Sequence, residues 1–277
     1  MESRLINRPP AHAGDVGVPL HGKWRPGEGT PIIVVPGAMA DAESYTPVVD
    51  AMEGPEPVLL LDRRGRSASG AQGAGYSTQT EVDDLRAWLD HLGVPVTLVG
   101  WSYGATIALE LAAHDPRVRH VIGYEPVIAP FGLELLPALR VADLDTRVEI
   151  INRDLSRVPA EAIEELRASA VWPALRRLAE PALAELEAIN SFRPSAGWAA
   201  LTADLIIGEH SQGSEPYGPG FARAAERLPR AITTVLPGQG HLAHVEDPTA
   251  LGKLITILLA NRPQQPQPDQ PEKASAS

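Results

Sequence analysis

The stretch from Leu98 to Ala105, LVGWSYGA, places Ser102 between two glycines, where an apolar run ends and an amphipathic helix begins. A sharp turn from a strand into a helix strains the backbone of its central residue and exposes the hydroxyl group. Gly100 and Gly104 suit such a turn because neighbouring backbone approaches too closely for a side chain. The free N–H groups and positive dipole end of the following helix favour negative charge beside the serine. We therefore predict that Ser102 is a nucleophile. The alternative is a flexible, glycine-containing turn between strand and helix in which the serine has no catalytic role.

Short apolar runs alternate with helical patterns along most of the chain. The runs are continuously apolar, as expected of strands that are covered on both faces in a parallel sheet. They are Pro31–Val35, Pro57–Leu61, Val96–Val99, Val118–Ile122, Leu205–Ile207 and Ile232–Leu236. Helical patterns occupy Thr78–Leu92, Tyr103–His114, Gly220–Leu228 and Pro248–Leu259. This alternation predicts an α/β fold with a mostly parallel central sheet flanked by helices.

Residues 130–198 break the alternation. This stretch has only helical patterns, rich in Ala, Leu, Glu and Arg, and its prolines divide it into short helices. It predicts an all-helical lid inserted before the penultimate strand; a longer crossover packed against the sheet is the alternative. We predict a disordered N-terminus at residues 1–14, a core of residues 15–129 and 199–262, and a disordered, Pro- and Gln-rich tail at residues 263–277.

The composition excludes several function classes. The 277 residues include 35 acidic and 24 basic side chains, and the net charge of −11 should repel nucleic acid and anionic membranes. The absence of cysteine excludes disulfides, thiolate metal sites and cysteine nucleophiles. No apolar run approaches the roughly 20 residues of a membrane span, and the first residues lack the apolar core of a signal peptide. We expect a cytoplasmic protein.

Two further patterns bear on cofactors. No His-Glu-x-x-His or comparable metal-ligand spacing occurs in the sequence. No Gly-x-Gly-x-x-Gly motif follows the first apolar run, as a dinucleotide site of the common kind would require. We therefore expect neither a catalytic metal nor a cofactor.

From Val16 to Ala260 the chain resembles the α/β-hydrolase fold superfamily, and in particular its lid-bearing serine esterase, lipase and peroxidase-like group. Besides the Ser102 turn, three segments support the resemblance: IVVPGA at residues 33–38, LDRRGRS at residues 61–67 and LPGQGHL at residues 236–242. The resemblance implies that the backbone N–H groups of Ala38 and Tyr103 form an oxyanion hole, and that His241 is the general base.

The acidic member of the expected triad departs from the family pattern. The family usually has an aspartate in a Gly-Glu-x-Asp segment after the lid, where this chain has Gly208-Glu209-His210-Ser211. Glu125 is our first candidate, since its position resembles that of a glutamate in certain haloalkane dehalogenases. Glu209 is the alternative acid; Asp204, another group or a serine–histidine dyad stay open. For His244, three residues after His241, we expect an orienting or surface role.

A serine nucleophile that attacks a carbonyl group forms an acyl-enzyme. If water attacks the acyl-enzyme, the protein is a hydrolase of carboxylic esters, lactones or thioesters that acts through acyl-Ser102. If an alcohol, amine or thiol attacks it instead, the protein is an acyltransferase, with a carrier protein or coenzyme A as the thioester donor. A third reading, based on the missing aspartate, is a non-catalytic ligand-binding protein on the same fold. The sequence indicates a small-molecule acyl substrate.

The arginines of the predicted lid bear on the choice of partner. Grouped on one face, they could receive an acidic acyl-carrier protein or an anionic substrate. Paired with the interspersed glutamates, they would only stabilise exposed helix faces. The arginines concerned are Arg140, Arg147, Arg153, Arg157, Arg167, Arg176 and Arg177.

Overall fold

The computed structural model describes residues 1–8 and 17–261. The strands of these residues form one sheet in the order β1-β2-β4-β3-β5-β6-β7-β8. Pairing is antiparallel between β1 and β2 and between β2 and β4, and parallel in the rest of the sheet. The strands are β1 (Glu2–Arg8), β2 (Val18–Arg25), β3 (Ile32–Val35), β4 (Val58–Asp62), β5 (Val96–Trp101), β6 (Val118–Tyr124), β7 (Asp204–Gly208) and β8 (Ile232–Leu236). The predicted α/β class with a mostly parallel sheet is confirmed.

Helices cover both faces of the sheet. In chain order they are α1 (Ala42–Asp50), α2 (Thr78–Leu92), α3 (Tyr103–Ala112), α4 (Leu136–Val141), α5 (Leu144–Ile150), α6 (Ala160–Ala168), α7 (Trp172–Ala179), α8 (Ala182–Ser191), α9 (Tyr217–Glu226), α10 (Ala243–Glu246) and α11 (Pro248–Ala260). Local sequence sets their ends: α2 begins after Ser77, which forms a capping box with Thr80, and ends at Gly93, whose φ of +66° is left-handed.

Strand β3 shows why the apolar runs are continuous. Ile33 and Val35 pack into the core on the side of α2 and α3. Ile32 and Val34 point the opposite way, into the core formed with α1 and α11. Alternate residues of a strand face opposite sides, so a central strand covered on both sides is apolar at every position.

The predicted disordered N-terminus is wrong for residues 2–8, which form β1. Each residue of β1 pairs with β2, from Glu2 opposite Trp24 to Arg8 opposite Val18. Arg8 is buried and forms an ion pair with Asp84 at 2.5 Å. Backbone pairing and this ion pair stabilise the strand, which therefore does not depend on apolar patterning. Its Leu5 is exposed. Residues 9–14 and the predicted tail at residues 263–277 lie outside the described residues.

Residues 130–198 lie between β6 and β7 and form helices and turns, with no strand. They comprise α4 to α8, a 3₁₀ turn at Leu133–Leu135, a π-helical turn at Ile151–Leu155 and the start of a 3₁₀ segment at Ala196–Ala200. We call residues 130–198 the helical insertion; its role as a lid stays a prediction. No helix in residues 1–8 and 17–261 has the length and apolar character needed to cross a membrane.

Candidate functional site

Ser102 lies at the turn between β5 and α3 with φ +52° and ψ −118°, and only 6% of it is exposed. This left-handed conformation is costly for a residue with a side chain, and such strain is characteristic of functional sites. The turn is held by a hydrogen bond of 2.7 Å from the Ser102 N–H to the Tyr124 carbonyl oxygen on β6. A Cβ atom on Gly104 would overlap the Val35 carbonyl oxygen, and one on Gly100 would overlap the Ala105 backbone. Both glycines are therefore required by close backbone approach.

The N–H groups predicted to form an oxyanion hole come from two elements that meet beside Ser102. Ala38 lies just after β3 and lines the same cavity as Ser102, while Tyr103 is the first residue of α3. Neither N–H group donates a hydrogen bond to another residue of the described chain. The Tyr103 ring points into the core, where its hydroxyl lies 3.1 Å from Thr78 Oγ1. Both backbone donors are thus available to a bound oxygen atom.

Glu125 connects β6, β7 and the loop that contains His241. Its Oε2 lies 2.6 Å from His241 Nδ1, and its Oε1 accepts a hydrogen bond of 2.8 Å from the Gly208 N–H at the end of β7. The side chain is fully buried, and its backbone has φ +42°. Both carboxylate oxygens therefore have fixed partners, which sets the orientation of the imidazole ring.

His241 lines the cavity together with Ser102. Among the described residues, no hydrogen bond joins the His241 ring to Ser102 Oγ. Such contacts often form only when substrate binds. The ring of Tyr217, at the start of α9, stacks on the His241 ring with centroids 3.4 Å apart and an interplanar angle of 11°. We did not predict Tyr217, because nothing in the sequence around it distinguishes it from a core aromatic residue.

Glu209 and Asp204 occupy other positions. Glu209 Oε2 accepts a hydrogen bond of 2.7 Å from the Gly238 N–H, so it holds the backbone of the histidine loop. Asp204 lies 2.7 Å from His120 Nε2 on β6. In the described structure neither carboxylate forms a hydrogen bond with the His241 ring.

The cavity at Ser102 has a volume of about 330 Å³ and lies between the sheet and the helical insertion. Most of its wall is apolar, and its polar side chains are uncharged hydroxyls, one amide and two imidazoles. The lining drawn from the described residues contains no Asp, Glu, Lys or Arg. The insertion contributes Leu139, Ile151, Leu155, Leu175, Leu186 and Ile189, among others.

The arginines of the helical insertion do not line this cavity. Among the seven arginines from Arg140 to Arg177, four pair with carboxylates and two donate to backbone carbonyl groups, which favours the interpretation that they stabilise exposed helix faces. The pairs are Arg140–Glu187, Arg153–Asp154, Arg167–Glu149 and Arg176–Asp145, and the carbonyl groups are Leu139 for Arg147 and Glu215 for Arg157. Residues 1–8 and 17–261 contain no group of three or more His, Asp or Glu side chains placed to hold a metal ion.

His244 is buried beside the site. Its ring stacks on Tyr45 with centroids 4.6 Å apart, and its Nδ1 has no partner among the described residues. Burial lowers the pKa of His244 from 6.5 to about 3, and the nearby His241 contributes in the same direction. The ring is therefore neutral near pH 7. Of the two roles expected for His244, orienting or surface, its burial rules out the surface role.

This pKa predicts a pH-dependent stability. The unfolded chain binds a proton at His244 near pH 6.5, whereas the folded chain binds it only near pH 3, so acidification favours unfolding in this window. We expect His244 to remove about 1–2 kcal/mol of stability between pH 6.5 and pH 5. Urea unfolding at several pH values should show a flatter dependence for His244→Phe, which retains the stacking. The exposed control His91→Phe should follow the wild type; a His244→Phe variant that also does so would contradict the prediction.

Sequence comparison identifies two curated relatives over parts of the chain. The uncharacterized hydrolase YraK of Bacillus subtilis is 34% identical over 116 residues, 40% of this chain and 42% of the relative. The putative carbamate hydrolase RutD of Azorhizobium caulinodans is 32% identical over 115 residues, again 40% of this chain and 42% of the relative. The chain thus matches about two fifths of the length of these relatives.

Solved structures share the whole fold at low identity. An enol-lactonase from Burkholderia xenovorans has a TM-score of 0.72 and 19% identity, with 88% of this chain and 97% of that chain covered. A thermophilic esterase from Thermogutta terrifontis has a TM-score of 0.68 and 20% identity, with 93% and 98% covered. The bottromycin epimerase BotH has a TM-score of 0.68 and 22% identity, with 94% and 99% covered. Enzymes with different reactions therefore share this architecture.

The sequence profile of the alpha/beta hydrolase family matches residues 32–253, which include β3, the Ser102 turn, the helical insertion and the His241 loop. This range is most of the chain, and the sheet order and helical layers described above agree with it. The chain belongs to the alpha/beta hydrolase family.

Proposed function

We propose that this protein is a serine hydrolase that cleaves an uncharged, largely apolar carboxylic ester, lactone or thioester through an acyl-Ser102 intermediate. The observation that supports it most is the 2.6 Å contact between His241 Nδ1 and the buried Glu125 carboxylate, in the wall of the cavity that Ser102 also lines. A carboxylate on Nδ1 leaves the other ring nitrogen, Nε2, as the proton acceptor for a serine hydroxyl.

In the proposed reaction Ser102 Oγ attacks the substrate carbonyl carbon, and His241 Nε2 takes the hydroxyl proton. The negative charge on the carbonyl oxygen is stabilised by the N–H groups of Ala38 and Tyr103. When the tetrahedral intermediate collapses, His241 returns the proton to the leaving alcohol or thiol. Water then attacks the acyl-Ser102 carbonyl with His241 as the base, which releases the acid and regenerates the serine.

Glu125 takes the role that an aspartate after β7 has in the family pattern. The Gly208 N–H, at the end of β7, binds Glu125 Oε1, and Glu125 Oε2 reaches His241 from the neighbouring strand β6. In this proposal the charge of Glu125 keeps the imidazole in the required tautomer and stabilises the imidazolium ion that forms after proton transfer.

The absence of Asp, Glu, Lys and Arg from the described cavity lining favours hydrolysis of a neutral compound over acyl transfer from a phosphate-bearing thioester. Coenzyme A and carrier-bound donors place phosphate groups near the entrance, and most arginines of the insertion already have carboxylate or carbonyl partners. A dry cavity of about 150 Å³ accommodates one benzene molecule, so the volume here suits a substrate part about twice that size. The esterase and the enol-lactonase noted above provide fold-level support for ester and lactone substrates.

Steady-state kinetics with two matched esters test this function. We expect para-nitrophenyl octanoate to react with a kcat/KM at least about 100-fold above that of its ω-carboxylate analogue, because the described cavity lining is mostly apolar and has no Lys or Arg to pair with a carboxylate. Ser102→Ala should abolish turnover of both. Hydrolysis that survives in Ser102→Ala would contradict the acyl-Ser102 intermediate, and equal rates for the two esters would contradict the substrate class.

The role of Glu125 is tested by two glutamate variants. Glu125→Gln removes the charge that holds His241, and we expect kcat to fall by about 100-fold or more. Glu209→Gln is the matched control, since the amide oxygen of Gln can still accept the hydrogen bond from the Gly238 N–H, and its kcat should stay within about threefold of the wild type. The reverse ranking would assign the acid to Glu209.

A further inference from the structure

Two arginines of the loop after β4 bind the segment that supplies the Ala38 N–H group. We call residues 36–40 the oxyanion loop. Arg63 donates from Nε to the Pro36 carbonyl oxygen at 2.8 Å and from Nη2 to the Gly37 carbonyl oxygen at 2.7 Å. Arg66 donates from Nε to the Ala40 carbonyl oxygen at 3.0 Å. The carbonyl groups on both sides of Ala38 are thus bound by buried guanidinium groups.

Both guanidinium groups meet at one carboxylate from the helical insertion. Glu185, on α8, lies 2.7 Å from Arg63 Nη2 through its Oε1. Arg66 contacts both oxygens of Glu185, with 2.6 Å from Nη1 to Oε1 and 2.8 Å from Nη2 to Oε2. The Glu185 side chain is fully buried, and the side chains of both arginines are almost so.

These three groups are charged in the folded protein. Burial acts to raise the pKa of Glu185, but Arg63 and Arg66 outweigh it and hold the pKa of this carboxyl below its usual value. Burial acts to lower the pKa of Arg63, but Glu185 and Glu81 raise it well above the usual value. A buried charge cluster is weak evidence for stability, because desolvation offsets most of the attraction. Its geometric effect, which fixes a backbone segment, is therefore the more informative property.

We propose that Arg66 and Glu185 are positioning residues for the oxyanion hole, and that they tie the helical insertion to the geometry of the reaction. Arg66 binds the Ala40 carbonyl group and Glu185 with the same guanidinium group. Arg66 and Glu185 are 119 residues apart in sequence, so their ion pair joins the loop after β4 to the insertion. A second contact of 3.1 Å, from Gln72 Nε2 to the Pro181 carbonyl oxygen, anchors the start of α8 to the same loop region.

The inference rests on the proposed function, because the oxyanion hole is defined by acylation of Ser102. Glu185→Gln removes the shared charge. Glu187→Gln is the matched control on the same helix, since Glu187 forms an exposed ion pair with Arg140 at 2.9 Å. The readouts are kcat and KM for para-nitrophenyl octanoate and the affinity of an alkyl boronic acid, which forms a tetrahedral adduct with a nucleophilic serine.

For Glu185→Gln we expect kcat to fall about 10- to 100-fold, since a small misplacement of a donor is costly only in the transition state. The boronic acid affinity should fall by a similar factor, while KM stays within about threefold. Glu187→Gln should match the wild type in all three quantities. A residue with a purely structural role would lower the thermal midpoint and leave kcat and the boronic acid affinity of the folded protein unchanged.

A second variant keeps the test valid if Glu185→Gln fails to fold. Arg66→Met combined with Glu185→Leu removes both charges together, and Arg63 keeps Glu81 at 2.8 Å as a partner. The same loss of kcat and boronic acid affinity is expected. Folded variants with wild-type values would overturn this inference alone. A wild-type protein that forms no boronic acid adduct would overturn the proposed function, and this inference with it.

Discussion

The Glu125 carboxylate is the point at which three separate parts of the chain meet. It follows β6, accepts the Gly208 N–H at the end of β7, and contacts the ring of His241 in the loop after β8. The same loop is held by the Tyr124 hydroxyl, which donates to the Gly240 carbonyl oxygen at 2.5 Å, and by Glu209, which accepts the Gly238 N–H. The position of the imidazole therefore depends on neighbouring strand ends, which parallel pairing brings to one edge of the sheet.

Features with a local physical cause could be predicted from the sequence. The Ser102 turn needs glycines at fixed positions, and strands buried on both faces need continuous apolar residues, so both were predictable. Strand β1 could not be predicted because backbone pairing and the Arg8 ion pair stabilise it without apolar patterning. The contacts of Tyr217 with His241 and of Arg66 with Glu185 join distant segments, and no short-range pattern reports them. The family resemblance made Glu125 the first candidate, and its contact with His241 could be seen only in the three-dimensional structure.

The helical insertion and the sheet contribute different properties to the site. The sheet edge presents Ser102, Glu125 and the His241 loop, while the insertion supplies most of the apolar wall around a cavity whose described lining has no Asp, Glu, Lys or Arg. Charge is present instead behind the oxyanion loop, where Glu185 meets Arg63 and Arg66 away from the cavity lining. This separation lets buried charges fix the backbone while the substrate space stays apolar, where hydrogen bonds to a developing oxyanion are strongest.

The central claim is that Ser102 is a nucleophile activated by His241, and intact-mass analysis after treatment with a fluorophosphonate tests it most directly. The account predicts a single covalent adduct on the wild-type protein and none on Ser102→Ala. An unmodified wild-type protein that is folded and exposed to a reagent small enough for the cavity would contradict it, as would an adduct that persists in Ser102→Ala.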